Sequence, residues 1–525
     1  MTSTNTKNTE TDGFARILRA EWIKFRAARG LMIGMVVALM LTTLFGLLIA
    51  NTSSRGGGSP RNLLGPDGEA VTDKFYFVHQ PLTGDGSITV RVTSLTGMIT
   101  YPPPNHDQIV PGVVPWAKAG IIIKDSTRQG SAYAAMMVTG SHGVRMQYNF
   151  IHDTAGHLDG VSTESPRWLR LTRSDDTITG YESTDGTQWT KVGMARLAGL
   201  PAKVEIGLFV NSPGNVTLSE GKRRFTNSTA VFDRLELQGV DPGVAWSHDD
   251  IGIVSTTGPE SGRPGLPASG VKESGGTFTV TGSGDIAPLG AEGSWPIERS
   301  LIGVLAGMIA VIVVATRFVT AEYGRDMIRD TQLATPRRDR VLAAKSIVIG
   351  TVTFVAGLAA AIVVIPISRQ ILLSNGIHIL PVTLFTELRV IFGTAALLAV
   401  AAVFALALAA LFQRSVVAVT ASIAAIVLTY ILANFLPLGM SQWLLRLTPA
   451  AGFAIQQSIP EYPQVIGLYV PQAGYYPLAP WAGFAVLCGY AALALGLAVF
   501  RLQPSTKLAE TGCEMNDTAP RSRHH

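Results

Sequence analysis

Long apolar runs flank a central stretch in which apolar and polar residues alternate. Four of these runs carry no charged side chain, at 31–50, 346–368, 390–413 and 479–500. A membrane-crossing helix needs about 20 apolar residues, because the hydrocarbon core is about 30 Å thick and a helix rises about 1.5 Å per residue. Six segments satisfy this length and are predicted membrane spans. They are Leu31–Ala50, Leu301–Thr320, Ala343–Ile367, Val390–Phe412, Val416–Leu436 and Trp481–Phe500.

The first apolar run has a basic flank, as a secretory signal does. A signal core is only about 7–15 residues long and is followed by an A-x-A cleavage site. Leu31–Ala50 is longer than that and no such site follows it. It is therefore predicted to remain in the protein as a span.

The central stretch has the composition of a soluble domain, since residues 51–299 carry 21 basic and 25 acidic side chains. Within it, Ser87–Ser94 alternates apolar and polar residues, which predicts a half-buried strand. Asp185-Gly186 lies between two such runs and predicts a hairpin, and Asp175-Asp176 is interpreted as a turn pair. Many short strands at this spacing predict an all-β sandwich or barrel. The other candidate strands are Ala119–Lys124, Tyr133–Val138, Val144–Phe150, Arg167–Arg173, Thr177–Ser183, Thr187–Val192, Val204–Val210 and Val231–Gln238.

Residues 240–298 are rich in Gly, Pro and Ser, which predicts loop or linker for part of this segment. Gly276–Gly282 is either a strand that returns to the sheet or part of a flexible stalk, and the sequence leaves both possibilities open.

Lysine and arginine placement orients the predicted spans. The net charge on one side is +8, summed over the N-terminal segment, the loop between the second and third spans, Arg414 and the tail. The net charge of the segments on the other side is −3. Both termini are therefore predicted to be cytoplasmic, with residues about 51–298 outside the cell. The predicted order is an N-terminal amphipathic helix (1–30), TM1 (31–50), the outer β domain (51–298, core about 72–239), TM2 (299–320), a cytoplasmic loop (321–342), TM3–TM6 (343–500) and a cytoplasmic tail (501–525).

Several kinds of chemistry lack their usual motif in this chain. There is no G-x-x-x-x-G-K-[ST], G-x-S-x-G, H-E-x-x-H or C-x-x-C, so no catalytic, cofactor-binding or metal-binding residue is predicted. His152, Asp153 and His157 lie close together, but without a Cys partner they are interpreted as a solvated loop. The spans hold no Asp, Glu, Lys, Arg or His in their central turns. Ion-coupled transporters usually keep such groups there. Their absence predicts that the energy for any transport is supplied from outside the membrane-spanning region of the chain.

Four segments of the β block carry a resemblance. In order they are Trp116–Lys124 (WAKAGIIIK), Trp168–Arg173 with the hairpin that follows it, Val204–Val210, and Phe232–Leu237. This order resembles concanavalin-A-like (lectin/glucanase) jelly rolls over about Thr72–Gly239. The resemblance implies an all-β jelly-roll sandwich, and it transfers no binding residue.

A second resemblance lies on the predicted cytoplasmic side. Ala20–Arg26 (AEWIKFR) precedes the first span, within an amphipathic segment Phe14–Arg29 suited to the membrane surface. Thr320–Arg329, Ala334–Arg338 and Val341–Lys345 (VLAAK) follow the second span. These motifs resemble actinobacterial ABC-2 type transporter permeases. The match covers residues 14–50 and 299–500, with the β block as an insertion in the first outer loop.

The permease resemblance implies a membrane subunit of an ATP-binding cassette exporter in the plasma membrane. ATP and Mg would then be bound by a separate ATPase subunit, and two six-span halves imply a homodimer or a pair with a second permease. In that family the loop after the second span meets the ATPase. The implied docking residues are Glu322, Tyr323, Gly324, Arg325, Pro336, Arg337 and Arg338. None of them would be catalytic.

Two other functions stay open at this stage. One is a membrane-anchored glycan-binding receptor or mechanotransmission protein without transport, although six spans exceed what an anchor needs. The other is a membrane-bound glycosidase, which needs two carboxylates about 5–9.5 Å apart, a spacing that some pair among 25 acids meets by chance. The transported substrate and the ligand of the outer domain, a cell-wall glycan or a cargo, are not specified by the sequence.

Overall fold

The fold comes from a computed structural model, which describes residues 5–53, 63–217, 222–241, 243–252, 266–289, 295–323, 338–377, 379–465 and 471–502.

The helices form one bundle, and six of its helical segments are long and apolar enough to cross a membrane. In chain order they are α1 (Asn5–Ala27), α2 (Arg29–Thr52), α3 (Val304–Tyr323), α4 (Arg338–Ser374), α5 (Leu384–Phe412), α6 (Ser415–Ile423), a π-helical turn (Ala424–Leu428), α7 (Thr429–Ala433), α8 (Leu438–Leu447) and α9 (Pro480–Leu502); short 3-10 helices cover Ile297–Leu301, Pro449–Gln456 and Pro471–Ala473.

Two large antiparallel sheets lie between α2 and α3 in the chain. The eight-stranded sheet has the order β11-β10-β9-β3-β15-β18-β17, with β4 beside β3, and the seven-stranded sheet has the order β16-β2-β12-β5-β6-β7-β8. The strands are β1 (Val71–Asp73), β2 (Phe75–Thr83), β3 (Gly86–Thr100), β4 (Ile109–Pro111), β5 (Lys118–Lys124), β6 (Tyr133–Thr139), β7 (Val144–Tyr148), β8 (His152–Ala155), β9 (Arg167–Ser174), β10 (Thr177–Ser183), β11 (Thr190–Arg196), β12 (Lys203–Asn211), β13 (Asn215–Thr217), β14 (Lys222–Arg224), β15 (Thr226–Gln238), β16 (Ser247–Ile251), β17 (Gly270–Ser274), β18 (Thr277–Gly282) and β19 (Ile286–Pro288).

The two sheets stack as a sandwich because each presents an apolar face to the other. Val90 and Phe232 of the eight-stranded sheet share one buried core with Ile121 and Leu208 of the seven-stranded sheet. The predicted β-sandwich is therefore confirmed. β18 pairs with β15, so Gly276–Gly282 does return to the sheet.

The seven-stranded sheet is also covered on its other face. There, Phe77 and Phe209 pack with Val71 and Ile286, which belong to a small ribbon formed by β1 and β19. Through this ribbon the chain enters the sandwich from α2 and leaves it toward α3. The end of the bundle next to the ribbon is called the sandwich end, and the opposite one the far end.

Small residues let the helices approach closely. Gly303 and Gly307 face α2, where an added Cβ would collide with the Thr42 carbonyl or hydroxyl group. On α5, Ala401 and Ala405 are fully buried. Small residues at these positions are typical of close helix packing.

The bounds of many elements depart from prediction, and two of these departures have a clear local cause. The second span begins at Val304, after a 3-10 turn, because the chain must turn out of the ribbon. The strand predicted at Thr187–Val192 starts at Thr190, since Asp185 accepts backbone hydrogen bonds from Thr187 and Gln188 and thereby extends the turn.

The loop predicted between the fifth and sixth spans contains helical structure that packs into the bundle. The Tyr490 hydroxyl on α9 donates to the Leu447 carbonyl at 2.6 Å. Buried Gln456 donates to the Thr394 hydroxyl on α5 at 2.9 Å. The segment Leu438–Gln456 therefore turns back between α5 and α9 rather than lying over the bundle.

Candidate functional site

Three of the predicted ATPase-docking residues lie within the described part of the chain, at the far end of the bundle. Glu322 and Tyr323 are the last two residues of α3, and Arg338 is the first of α4; these are backbone positions only. Gly324, Arg325, Pro336 and Arg337 lie outside the described residues. The structure therefore fixes the two ends of the loop, both at the far end.

A buried ion pair lies beside those two ends. Lys345 on α4 donates to the Glu21 carboxylate on α1 at 2.6 Å, and the two side chains are only 4% and 3% exposed. The second carboxylate oxygen of Glu21 accepts from Lys24 at 2.7 Å. Removing one partner of such a pair leaves an uncompensated buried charge, so the pair fixes where α1 sits on α4.

Aromatic rings complete this contact. The Lys345 ammonium lies 4.4 Å from the ring centroid of Phe318 on α3, a cation–π distance. Phe25 on α1 meets the same ring edge-on at 5.4 Å. These contacts join one face of α1, one turn of α3 and the start of α4 into a single packed unit. We call it the far-end lock, and it consists of Glu21, Phe25, Phe318 and Lys345.

The side of α1 that faces away from the lock is exposed and carries two large apolar residues among basic ones. Trp22 is 40% and Ile23 56% exposed, whereas Glu21 and Phe25, one helical turn apart, point into the lock. This division matches the amphipathic helix predicted at Phe14–Arg29, which the structure ends at Ala27.

The sequence reasoning missed the pairing of Glu21 with Lys345, although both lie in motifs that it singled out, AEWIKFR and VLAAK. The available signal was the position of Lys345, a lone cation inside an apolar run. A charge there needs a partner, but the sequence does not say which of several acids supplies it.

A second cluster of buried charges ties the ribbon to the sandwich. Lys124 and Lys118, at the two ends of β5, are fully buried. Lys124 donates to Asp73 of β1 at 2.8 Å, and Lys118 donates to Asp285, the residue before β19, at 2.9 Å. Burial lowers the pKa of Lys124, and the Asp73 charge opposes that shift. These pairs hold both strands of the ribbon on the sheet.

His79 lies nearby on β2, bridging two carboxylates. Its ring nitrogens lie 2.7 Å from a Glu205 oxygen and 3.0 Å from an Asp249 oxygen. Burial disfavours the protonated ring, but the hydrogen bonds to these carboxylates outweigh it and raise the pKa of His79.

The histidines that sequence reasoning singled out do not gather into a metal site. His152 and Asp153 belong to strand β8, so the loop interpretation was wrong for them, because their backbone pairs with β7. Asp153 forms an ion pair with Arg145, and His157 lies near Asp159 instead. Among the described residues no group of three or more His, Cys, Asp or Glu side chains is arranged to hold a metal.

Comparisons with known proteins leave the function open. No protein-family model and no curated protein matches the chain. Among solved structures, a functionally unknown protein from Saccharomyces cerevisiae is 12% identical, with 35% of this chain and 85% of that chain covered at a TM-score of 0.22. A scytalido-glutamic peptidase bound to a transition state analog inhibitor is 8% identical, with 42% and 100% covered at a TM-score of 0.26. Likenesses this weak carry no argument about this chain.

Proposed function

We propose that this chain is the membrane-spanning permease subunit of an ATP-binding cassette exporter of the ABC-2 type. It would move its substrate across the plasma membrane, using ATP that a separate subunit hydrolyses. Both termini would lie in the cytoplasm, and the sandwich would lie outside the cell. The observation that carries the proposal is the far-end lock, which joins two motifs of the permease resemblance beside the loop that would meet the ATPase.

The surface of the bundle supports membrane placement. On α2, Ile33, Met40 and Leu44 are each more than 60% exposed. Large contiguous apolar surface is unfavourable in water, whereas hydrocarbon solvates it well. Lysines and arginines at the far end would favour the cytoplasmic side.

The far-end lock suggests how force would pass into the bundle. Lys345 follows Arg338 by seven residues, about two helical turns or roughly 10 Å. A partner that displaces the loop would therefore move the ends of α3 and α4 together with α1, as one packed unit. Nucleotide binding and hydrolysis in the partner would bias the bundle between two arrangements.

The sandwich would be a jelly roll of the concanavalin-A-like type. Its two stacked, wholly antiparallel sheets and their non-sequential strand order support this architecture. A cell-wall glycan or a cargo would be its ligand class. A glycan array probed with the purified full chain is the corresponding measurement.

Accessibility labelling tests the orientation. In a chain with Cys488 and Cys513 replaced by Ser, we would place single cysteines at Asp159, an exposed sandwich residue, and at Arg337. A membrane-impermeant maleimide applied to intact cells is expected to label only the Asp159→Cys variant. Labelling of both positions from the same side would overturn the topology and the permease proposal with it.

Co-purification tests the partner. The tagged chain, extracted from its native membrane, is expected to retain a protein that carries a P-loop and is labelled by azido-ATP. The pair Arg337→Glu/Arg338→Glu should lose this protein, whereas Arg414→Glu, a basic residue outside the loop, should keep it. If the wild-type chain retains no such ATPase, a glycan-binding or mechanotransmission protein without transport becomes the better proposal.

A further inference from the structure

A cavity of about 370 Å³ opens at the sandwich end of the bundle. Its volume falls within the range of small-molecule sites, about 300–1,000 Å³. The walls come from the 3-10 turn that leads into α3, from α7, and from the 3-10 helix Pro449–Gln456. We call it the Arg299 cavity after the cation at its rim.

The interior of the Arg299 cavity is mostly apolar with a few polar groups. Tyr430 packs on Phe453 with ring centroids 4.2 Å apart, and its hydroxyl lies 3.3 Å from that of Tyr476. The Glu298 carboxylate accepts hydrogen bonds from the backbone N–H and the hydroxyl of Ser458. These groups fix the wall and leave hydroxyl and carboxyl groups beside the empty space.

Arg299 is the charged group at the rim. Its guanidinium lies 4.2 Å from the ring centroid of Trp295, which holds it in place. No carboxylate among the described residues forms an ion pair with it. A guanidinium without a carboxylate partner at the mouth of a cavity suits a phosphate, which it binds through two parallel hydrogen bonds.

Part of the cavity lining is apolar and exposed. Ile302, Ile431 and Phe435 line the cavity, and Phe435 is 82% exposed. Arg299 lies five residues before the first residue of α3, at the level where a span ends. Trp and Arg side chains at that level mark the headgroup region of a bilayer.

We infer that the Arg299 cavity binds an anionic phospholipid, with its phosphate on Arg299 and an acyl chain along Ile302, Ile431 and Phe435. This inference rests on the membrane placement of the bundle, but it does not require that the chain transports anything. The exposed apolar residues of the cavity suit the acyl chain of such a lipid, and the polar groups inside the cavity suit its headgroup.

Native mass spectrometry of the full chain, released from detergent with added lipid, tests the inference. Phosphatidylglycerol is expected to stay bound more tightly than phosphatidylcholine. Arg299→Gln should weaken retention roughly fivefold, the effect of one basic residue near anionic headgroups. The matched control is Arg446→Gln, because Arg446 also lies over an exposed tryptophan, Trp443, but does not line the cavity.

A second variant and a soluble competitor distinguish a lipid from the other occupants that the cavity could hold. Phe435→Ala, at a position that is 82% exposed, should also weaken retention. Glycerol phosphate should not displace the lipid; displacement by it would identify a free phosphate compound as the occupant and overturn the inference. Equal retention in Arg299→Gln and Arg446→Gln, or equal retention of both lipids, would overturn it too. So would a dimer that carries no lipid, because a second copy would then cover the cavity.

A pH series adds an independent readout. Burial raises the pKa of Glu298 to about 7, against the hydrogen bonds from Ser458 and the charge of Arg389. The charged and titratable groups that interact with it are Arg389, Tyr430 and Tyr476, and Arg299 lines the same cavity. Because an ionised Glu298 repels a phosphate, retention should fall as pH rises through about 7, and Glu298→Gln should remove this dependence. Retention that is independent of pH in the wild type would count against a phosphate beside Glu298.

Discussion

The sandwich and the bundle differ in some of the residues that they bury and in those that they expose. The sandwich encloses whole lysines, Lys118 and Lys124, each with a carboxylate partner. The bundle encloses alanines such as Ala401 and Ala405 and turns large side chains such as Met40 and Leu44 outward. The sandwich thus follows the rules of a protein in water, whereas the outward apolar side chains of the bundle fit the proposed membrane placement. Charged groups in the bundle lie near its ends, where they fix the positions of the helices relative to one another.

The largest expected effect is in the sandwich. Lys124→Met would leave Asp73 buried without a counter-ion, which costs about 3–5 kcal/mol of stability. Hydrogen exchange of the β1, β5 and β19 amides in the full chain should accelerate strongly. Arg196→Met is the matched control, because it removes an ion pair with Asp176 at the surface, and it should leave exchange unchanged.

Replacing both partners sharpens this test. Lys124→Met/Asp73→Leu removes the unpaired charge and should recover much of the lost protection. If the double variant exchanges as fast as Lys124→Met alone, the cost lies in lost packing rather than in the stranded carboxylate.

The second-largest effect is expected at the far-end lock. Lys345→Met leaves Glu21 with only the half-exposed Lys24 as its partner and should destabilise the seating of α1 by about 1.5–3 kcal/mol, the contribution of a hydrogen bond to a charged group. Trypsin cleavage after Arg26 in membrane vesicles should then become faster. Lys24→Met removes the other, more exposed partner of Glu21 and should change cleavage little. Equal cleavage in the two variants would show that the buried pair does not hold α1.

Helix packing within the bundle gives a moderate effect. Gly307→Leu forces a side chain into the hydroxyl of Thr42, and overpacking of this kind costs about 1–3 kcal/mol. The thermal midpoint of the detergent-solubilised chain should fall. Gly496→Leu, on α9 with no atom within 4 Å of an added Cβ, should leave the midpoint unchanged, and a similar fall there would implicate glycine loss in general.

The smallest expected effect depends on pH and belongs to His79. Its folded pKa is raised above the ordinary value of 6.5, so its stabilising contribution is complete below that pH and is lost as pH rises through the folded pKa. Exchange of the β2 and β16 amides should therefore accelerate above about pH 6.5 beyond the intrinsic rate change. His79→Gln should remove this extra acceleration, and its persistence would place the titrating group elsewhere.

The sequence predicted what periodicity and length determine. Apolar runs of span length became six long helices, and alternation such as that of Ser87–Ser94 became strands. Membrane insertion and its direction stay predictions, as do the ATPase and the jelly-roll assignment. The limits of the helices were less predictable, because the turn at Ile297–Leu301 depends on where the ribbon ends rather than on local hydrophobicity.

Pairings across long stretches of chain were beyond sequence reasoning. Glu21 and Lys345 are separated by 324 residues, and Lys118 meets Asp285 across 167. Each lysine needs some acid when buried, but only the packing of distant elements decides which one. The same applies to Arg299, whose neighbours around the cavity come from separate segments of the chain.

The β1–β19 ribbon has a consequence for how such a chain is assembled. Val71 and Pro288 are directly opposite each other in the ribbon, so the two crossing points of the chain lie one strand spacing apart, about 5 Å. A tight hairpin turn closes a gap of that size. The whole sandwich is therefore a module that can be removed and replaced by a short turn. It can also be exchanged for another domain whose ends are equally close. Neither change requires any of the six apolar helices to shift.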